Sequence, residues 1–305
     1  MVKSTLELKH LIDKAKMNKV PKILFVGAAQ NCANYLPAVL RNIENIAACS
    51  SEVGFVFIEN DSTDSTVEII KDWGAKQENF YFINLDGLNA IPIRTLRLEI
   101  ARNAYVETIK FYKKLHSFDY VAVIDMDDDG AYPIDTNMVL SGIKFLETSS
   151  TKAAIFSNQR GVYCDMWALR HFDICPIDPW EEVLDYAVKY ECPDDMAFAK
   201  TFAKRIFSVE ESSAPIEVES AFGGFGIYKM KYILQNQNSY LGSKLKIIPR
   251  EDGTLGYHRW QVCEHVHFHA GIRNQGGEMF IYPGLINRES FDITFPANAF
   301  REMLF

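Results

Sequence analysis

Val121-Ala-Val-Ile-Asp-Met-Asp-Asp-Asp-Gly130 is an apolar run that ends abruptly in four carboxylates within five residues. Residues 120 to 124 have the unbroken β-branched and aromatic character of a strand that is buried on both faces, as in the middle of a parallel sheet. Ligands of open α/β sheets bind just beyond the carboxyl ends of such strands. The run therefore predicts a parallel α/β sheet with an acidic site at its carboxyl edge.

The four acids of this run are Asp125, Asp127, Asp128 and Asp129. Placing them together in a partly buried loop is costly unless a cation or hydrogen bonds offset the repulsion. Oxygen-preferring Mn²⁺ or Mg²⁺ suits all-carboxylate ligation best. We expect Asp127 to bind this metal, and Asp128 or Asp129 would replace it if the register were shifted by one. The alternative is a solvated acidic turn, because short acidic motifs also occur without a metal.

Composition places the chain among ordinary globular proteins. Of its 305 residues, 48% are hydrophobic and 24% are charged, which is enough apolar material for one large core. The net charge of −8 and the pI near 5.5 argue against sequence-independent binding of nucleic acid, which needs a basic surface. An anionic substrate would then need local cations to hold it.

The N-terminal segment and the cysteines both bear on the cellular location of the protein. The first 20 residues mix charges with leucines and lack the apolar core of a signal peptide. No window reaches 18 apolar residues, so no transmembrane segment is expected. The cysteines form no Cys-x-x-Cys pair, which favours reduced thiols in a cytoplasmic enzyme over disulfides or a zinc site. They are Cys32, Cys49, Cys164, Cys175, Cys192 and Cys263.

Strands and helices alternate regularly in the first half of the chain. This alternation implies right-handed crossovers and a doubly wound, mostly parallel α/β sheet with helices on both faces. The second half is less regular, so we predict one unit, residues 1–305, with a Rossmann-like half at 20–150 and a mixed half at 151–305. Strands are predicted at 22–27, 54–58, 79–84, 120–124 and 153–157, and helices at 34–47, at 95–115 and after an N-cap at Ser62 or Asp64.

Several motifs in this order resemble the nucleotide-sugar half of GT-A glycosyltransferases. They are Glu59-Asn-Asp-Ser-Thr-Asp-Ser-Thr66, Arg94-x-x-Arg97 with Ala101-Arg-Asn103, and Asp125-x-Asp127. The first is similar to the Val-Asp-Asp-Gly-Ser-Thr-Asp-Gly-Thr sequence of family-2-like members from Ser62 onward. Its departures, and the segment Tyr163-Cys-Asp-Met-Trp-Ala-Leu-Arg170, are more similar to the fungal capsule-associated α-mannosyltransferases.

The resemblance implies an enzyme that moves a hexose, such as mannose, from a nucleoside diphosphate sugar to a glycan or glycolipid hydroxyl. The first half would bind the donor and the second half the acceptor, and a glycolipid acceptor would allow peripheral association with a membrane. Mn²⁺ or Mg²⁺ would neutralise the leaving diphosphate without proton transfer. By resemblance to the Asp-x-Asp motif, Asp125 would lie near both the ribose and the metal.

Two rival functions remain open. A nucleotidyltransferase shares the doubly wound sheet and carboxylate-bound Mg²⁺, but it usually has a basic, glycine-rich loop after the first strand. Gly27-Ala-Ala-Gln-Asn31 lacks such a loop. The other rival is a non-catalytic carbohydrate-binding relative, which would have no reason to retain clustered acids.

Residues of the first half are candidates for donor binding. Ala28 and Asn31 are small or amide residues where a base can stack and hydrogen-bond. Glu59 and Asp61 would recognise the base or the ribose hydroxyls, and the alternative for Asp61 is a helix cap.

Two arginines lie on the helix that precedes the acidic strand. Arg97 and Arg102 are five positions apart, so we expect at least one to reach the diphosphate as a charge-assisted donor. The alternative for each is a surface ion pair.

In the second half, Ser220-Ala-Phe-Gly-Gly-Phe-Gly-Ile-Tyr228 combines a glycine pair with an apolar strand. Gly223 and Gly224 would let the backbone approach a ligand closely, and the comparable segment of GT-A enzymes lines the donor-sugar pocket. A tight turn without a ligand is the alternative. Asp165, a candidate catalytic residue, and Trp167 are expected to shape the sugar and acceptor pocket, with core packing as the alternative for Trp167.

Val262-Cys-Glu-His-Val-His-Phe-His269 has histidines at alternate positions. If extended, it would place His265, His267 and His269 on one face, but the pattern lacks the fixed ligand spacing of a zinc site. Resemblance to the relatives' motif implies that His265 completes the metal shell, with His267 and His269 as alternatives. It also implies that Glu264 is the general base of an inverting enzyme. Some relatives are retaining and others inverting, and the sequence leaves this choice open.

Overall fold

The computed structural model of the protein describes residues 20–249, 253–289, 293, 294 and 296. The prediction for the first 20 residues therefore lies, apart from Val20, outside the described residues. The described strands are β1 (Lys22–Ala29), β2 (Glu52–Glu59), β3 (Phe80–Asn84), β4 (Tyr120–Ile124), β5 (Lys152–Arg160), β6 (Ile216–Val218), β7 (Phe225–Lys229), β8 (Ser243–Pro249), β9 (Leu255–Gln261) and β10 (Glu278–Glu289).

Helices connect most of these strands. Within the described ranges, none of the helices is long and apolar enough to cross a membrane. The α-helices are α1 (Leu36–Ala47), α2 (Thr66–Gly74), α3 (Arg94–Phe111), α4 (Asp128–Ala131), α5 (Thr136–Glu147), α6 (Pro179–Tyr190), α7 (Asp194–Lys200), α8 (Met230–Gln235) and α9 (Glu264–Arg273), and short 3₁₀ helices occupy Leu88–Ala90, Lys113–Ser117 and Phe202–Arg205.

Eight strands form one central sheet in the order β3-β2-β1-β4-β7-β5-β10-β6. The pairs β1–β2, β1–β4, β2–β3 and β5–β10 are parallel. β7 lies antiparallel between β4 and β5, and β6 is antiparallel to β10 at the edge. The predicted fold class, a doubly wound and mostly parallel sheet with a mixed second half, is confirmed. β8 and β9 pair with each other in a separate antiparallel hairpin.

Alternation along the central strands explains why both faces of the sheet are covered. Ile23 and Phe25 of β1 pack in a core with α1, whereas Leu24 and Val26 pack in a second core with α3. Successive side chains of a strand point to opposite faces, so a strand that is apolar at every position needs helices on both sides. All five residues of β4 are buried, as the apolar run before the acids predicts.

The largest disagreement with the sequence-based prediction concerns residues 262–269, for which the extended conformation was wrong. Helix α9 begins at Glu264 and includes the three histidines. The buried residues His265, Phe268, His269 and Ile272 recur at helical spacing, and this pattern outweighs the alternation of histidines. The predicted cap of α2 was also displaced, because its N-cap is Ser65.

Candidate active site

The acidic loop begins where β4 ends, at the carboxyl edge of the sheet. Its backbone is fixed by Asp125 N, which donates to Gly224 O at 2.9 Å, and by Asp127 Oδ1, which accepts from Asp129 N at 3.2 Å as the N-cap of α4. One carboxylate oxygen from each of Asp125, Asp127 and Asp129 lies within 4.8 Å of the other two. This carboxylate cluster offers three hard oxygen ligands at a spacing that suits Mn²⁺ or Mg²⁺.

Arginines flank the carboxylate cluster on two sides. Arg102 Nη2 lies 2.9 Å from Asp125 Oδ1, and Arg102 Nε lies 2.8 Å from Glu264 Oε1. On the other side, Arg288 pairs with Asp128 at 3.1 Å and with Asp129. Asp129 belongs to the carboxylate cluster, whereas Asp128 does not. Arg102, one of the two arginines of which at least one is expected to reach the diphosphate, thus joins the partly buried Asp125 to the buried Glu264.

The charge of the cluster is poorly compensated by protein groups alone. Burial raises the pKa of Asp125 to about 7, an effect that Arg102 opposes and the Asp127 charge reinforces. Burial also raises the pKa of Asp127, with repulsion from Asp128 as the next cause. A divalent cation would reverse this balance, because it favours the ionised form of every carboxylate around it.

A cavity of about 220 Å³, termed the central cavity, lies beside the cluster. It brings together residues from both halves of the chain, including most of the predicted acceptor-side residues. Its lining includes Arg94, Leu98, Arg102, Asp125, Asp129, Gln159, Cys164, Asp165, Trp167, Phe222, Gly223, Gly224, Cys263, Glu264, His265 and Arg288.

A second cavity of about 200 Å³, termed the first-strand cavity, lies at the end of β1. Ala28, which we expect to lie beside the base, lines it together with Arg97 and Asp127. Arg94 and Leu98 line both cavities, so the two adjoin. Arg97 Nη1 donates to Ile91 O at 2.7 Å, which turns part of its guanidinium toward its own loop.

Three other residues that were predicted to bind the donor line neither cavity, and their side chains accept hydrogen bonds from the backbone of nearby loops. Asn31, with φ of 52°, accepts from Thr63 N at 2.8 Å through its side chain. Glu59 is buried and accepts from Ser62 N at 2.8 Å. Asp61 accepts from the backbone nitrogens of Gly87 and Asn89, each at 2.7 Å, and these bonds lower its pKa. Asp61 therefore does not cap α2, and it holds the N-terminal end of the 3₁₀ helix Leu88–Ala90 that follows β3.

The glycine pair forms the floor of the central cavity. Gly223 and Gly224 have φ values of 71° and 87°, which disfavour other residues. A Cβ on Gly224 would lie 2.9 Å from Asn287 Nδ2 and 3.0 Å from Asp129 Cβ. Asp165 is partly buried and accepts from Gly223 N at 2.8 Å, and its partial removal from water raises its pKa. Asp165 thus braces the glycine turn.

Trp167 lines the central cavity but is also tied to the protein. Its Nε1 donates to Asp178 Oδ2 at 3.1 Å. Asp178 also pairs with Arg170 at 3.0 Å, which keeps this indole in one orientation. A fixed aromatic ring at a cavity wall is a suitable surface for the apolar face of a sugar.

The start of α9 contributes two buried polar side chains. Glu264 and His265 have exposed fractions of 5% and 2%, so their polar atoms face the cavity or other protein groups and not bulk water. His265 stacks on Phe222 at a centroid distance of 4.0 Å, and neither ring nitrogen has a hydrogen-bond partner among the described residues. Burial and then the Arg102 charge lower the pKa of His265 well below its usual value, so the ring is neutral. His265 lies outside the carboxylate cluster.

The other two histidines of this segment differ from His265. His269 is fully buried and bonds to Ser220 Oγ at 2.8 Å and to Tyr228 Oη at 2.9 Å. His267 is exposed, and its Nδ1 lies 2.8 Å from Ser239 O. Only His265 lines the central cavity.

Two arginines at the site were not selected from the sequence. Arg94 lies in the quoted Arg94-x-x-Arg97 motif, so its helical position was a usable signal. Arg288 lies in β10, about 160 residues after the acids with which it pairs, and no local pattern identifies it.

No protein-family model matches the chain, and no curated protein matches it. Among solved structures, the mannosyltransferase PcManGT from Pyrobaculum calidifontis in complex with GDP-Man and Mn²⁺ is similar at 12% identity and a TM-score of 0.50, covering 94% of this chain and 64% of that chain. The protein therefore has the GT-A fold of glycosyltransferases.

Two further solved structures are similar over most of the chain. S. aureus TarS has 13% identity and a TM-score of 0.48, covering 92% of this chain and 38% of that chain. Glucosyl-3-phosphoglycerate synthase from Mycobacterium tuberculosis, in complex with Mg²⁺ and UDP, has 12% identity and a TM-score of 0.44, covering 99% of this chain and 80% of that chain. The chain spans less than two thirds of the PcManGT and TarS chains that it matches.

Proposed function

We propose that this protein is a metal-dependent glycosyltransferase that transfers a hexose, such as mannose, from a nucleoside diphosphate sugar to a hydroxyl of a glycan or glycolipid. The observation that carries the proposal is the position of the carboxylate cluster. Its three oxygens lie within 4.8 Å of one another, and its residues line two cavities that adjoin at Arg94. A metal there would lie between a nucleotide and a sugar.

The carboxylate cluster would hold Mn²⁺ or Mg²⁺ through Asp125, Asp127 and Asp129. The metal would supply electrostatic stabilisation of the leaving diphosphate. Asp127 lines the first-strand cavity, whereas Asp125 and Asp129 line the central cavity, so the cluster faces both. His265 would be an additional ligand or a contact of the donor sugar, because its ring is neutral and neither ring nitrogen has a hydrogen-bond partner among the described residues.

Arg94 and Arg97 would bind the diphosphate from the side of α3. Arg94 lines both cavities and Arg97 lines the first-strand cavity. The pair supplies the local cations that a protein of net charge −8 needs for an anionic donor. The base would lie beside Ala28, where no large side chain fills the space.

The sugar would occupy the central cavity, above the glycine turn and against Trp167. The absence of side chains at Gly223 and Gly224 leaves room for the ring, and Asp165 holds the turn in place. Glu264 would deprotonate the acceptor hydroxyl if transfer inverts the anomeric configuration. If transfer is retaining, the same carboxylate, held by Arg102, would orient the acceptor.

Location and partners follow from the same proposal. A role in polysaccharide biosynthesis in the cytoplasm agrees with six cysteines that are all unpaired. A glycolipid acceptor would bring the protein to a membrane surface without a transmembrane segment.

A screen of nucleotide sugars with Mn²⁺ present, scored by release of GDP or UDP, tests the proposal. We expect one donor class to be hydrolysed or transferred, and excess EDTA to abolish the release. Asp127→Asn is the matched control because its carboxamide has nearly the same size. A folded protein that neither turns over nor binds any nucleotide sugar with Mn²⁺ would overturn the proposal.

A further inference from the structure

The hairpin formed by β8 and β9 exposes an apolar face. In its register Leu245 is opposite Arg259, Ile247 is opposite Tyr257, and these side chains share one face with Leu255. The exposed fractions are 65% for Leu245, 52% for Ile247, 50% for Leu255 and 63% for Tyr257. Large apolar side chains that are half or more exposed seldom cluster in this way unless they bind something.

The opposite face of the hairpin packs against the rest of the protein, and the exposed face has no partner among the residues that the structure describes. Trp260 is fully buried there, with Lys246 Nζ 4.3 Å from its ring centroid. Lys244 and Lys246 pair with Glu181 of α6 at 2.6 and 3.0 Å. The hairpin is therefore attached through one face only, and within the described residues its acidic partners all lie on that attached side.

The dimensions of the exposed face argue against a second copy of the chain as its occupant. Two seven-residue strands give a surface that is about 23 Å long and about 10 Å wide, or about 230 Å². A symmetric contact through this face would bury about 500 Å², well below the ~1,200 Å² of a stable interface. A lipid surface has no such lower limit, because separate side chains insert independently.

The charge of the exposed face favours anionic lipid. Arg259 is exposed at the edge of the apolar side chains, and the described positions of this face contain no acid. An arginine beside aliphatic residues and a tyrosine is a pattern of membrane-interface segments, in which the cation binds headgroups and the tyrosine lies at their depth.

We propose that the outer face of the β8–β9 hairpin binds an anionic phospholipid surface and thereby brings the central cavity to a lipid-linked acceptor. β9 ends at Gln261, whose Oε1 accepts from Thr95 Oγ1 at 3.1 Å, next to Arg94. Two and three residues later, Cys263 and Glu264 line the central cavity. The acceptor part of this inference rests on the proposed function, whereas the lipid contact does not.

Flotation of the full chain with vesicles tests the contact without a nucleotide sugar. One vesicle type is phosphatidylcholine and the other an equal mixture with phosphatidylglycerol. We expect wild type to float with the mixed vesicles, and Ile247→Glu/Tyr257→Glu to lose at least about 10-fold in partitioning. Arg259→Glu should remove the preference for phosphatidylglycerol. Phe111→Glu is the matched control, because Phe111 is 77% exposed and lies at the end of α3.

Three results would overturn the inference. They are wild type that stays in the soluble fraction with both vesicles, a double variant that floats like wild type, and a wild-type dimer in sedimentation that the double variant abolishes. The third would identify the face as a contact between copies. Nucleotide release with a water-soluble acceptor is measured on the same samples. Nucleotide release that persists in a variant that no longer floats would support the inference. Flotation of wild type without any nucleotide release would refute the proposed function but not the lipid contact.

Discussion

Arg102 Nε donates to Glu264 Oε1 at 2.8 Å, although the two residues are 162 positions apart in the chain. Both are buried, and the same guanidinium lies 2.9 Å from Asp125 Oδ1. Its Cζ lies 5.0 Å from the centroid of Phe222, which shields the group further. One cation thus joins the acidic loop after β4 to the first residue of α9.

Replacing Arg102 by methionine should destabilise the protein strongly. The methionine fills the space but leaves Asp125 and Glu264 without their shared cation, and breaking a buried ion pair in this way costs about 3 to 5 kcal/mol. Urea denaturation measures the loss. Arg97→Met is the control on the same helix, since among the described residues Arg97 donates only to backbone carbonyls, and it should cost less than about 1 kcal/mol. Equal losses in the two variants would contradict the role assigned to Arg102.

Asp127→Asn should remove most activity without unfolding the protein. The substitution deletes one ligand charge at the proposed metal, and comparable electrostatic contacts are worth about 3 kcal/mol, or about 100-fold in rate. Nucleotide release and the circular dichroism spectrum are measured together. Asp128→Asn should have a much smaller effect, because Asp128 lies outside the carboxylate cluster and pairs with Arg288. Full turnover in excess EDTA would show that no metal is needed.

The fold was predictable from local patterns, and the site only in part. β4 and the acids after it follow directly from an apolar run that stops at Asp125, because a buried strand tolerates no charge until it reaches the sheet edge. Gly223 and Gly224 were also recognisable, since a glycine pair before a strand indicates a special backbone conformation. These signals are all contained in a few consecutive residues.

Two features of the site could not be predicted from neighbouring residues in the sequence, because they depend on packing between distant parts of the chain. Arg288 and Asp129 meet only because β10 lies in the same sheet, and nothing near residue 288 indicates an acid about 160 positions earlier. Residues 262–269 contain both a helical and an alternating pattern, and packing in the core decides between them. Phe268 and Ile272 are fully buried and favour a helix, whereas the alternate histidines favour a strand.

Glu264→Gln should lower turnover far more than donor binding. The amide keeps the shape and can still accept from Arg102, but it cannot take a proton from an acceptor hydroxyl. Comparison of the rate constant with the donor dissociation constant separates the two effects. Equal loss of binding and turnover would indicate a positioning role only.

His265→Ala tests the neighbouring position independently. If the ring binds the metal, the Mn²⁺ concentration for half activity should rise by about 10-fold or more. His267→Ala is the matched control, because His267 lies on the same helix but is exposed. An unchanged Mn²⁺ requirement with weaker donor binding would assign His265 to the sugar and not to the metal.

Acid should destabilise the protein in part through His269. Burial, and next the Arg102 charge, lower the pKa of His269 to about 3 in the folded state, against about 6.5 when unfolded. The unfolded state therefore binds more protons between these values, so the stabilisation is complete above pH 6.5 and falls as the pH drops toward 3. Between pH 6.5 and 5 the loss should be about 2 kcal/mol. Urea denaturation of wild type and His269→Gln at both pH values checks this, and an equal pH dependence in the two proteins would exclude His269 as the cause.

Gly223→Ala should be more destabilising than Gly276→Ala, although both glycines have nearly the same backbone conformation. Their φ values are 71° and 74°, so a left-handed alanine at either position should lower the free energy of unfolding by about 1 kcal/mol. A Cβ at Gly223 would also lie 2.7 Å from Gln159 Nε2 and 2.8 Å from Ser157 Oγ, whereas a Cβ at Gly276 would have nothing within 4 Å. The difference in unfolding free energy between the two variants, measured by urea denaturation, should therefore be about 1 to 3 kcal/mol from steric overlap alone. Donor binding should weaken only in Gly223→Ala, because Gly223 lines the central cavity. If both variants lose the same stability and both bind donor normally, the glycine turn serves the backbone alone and does not shape the cavity.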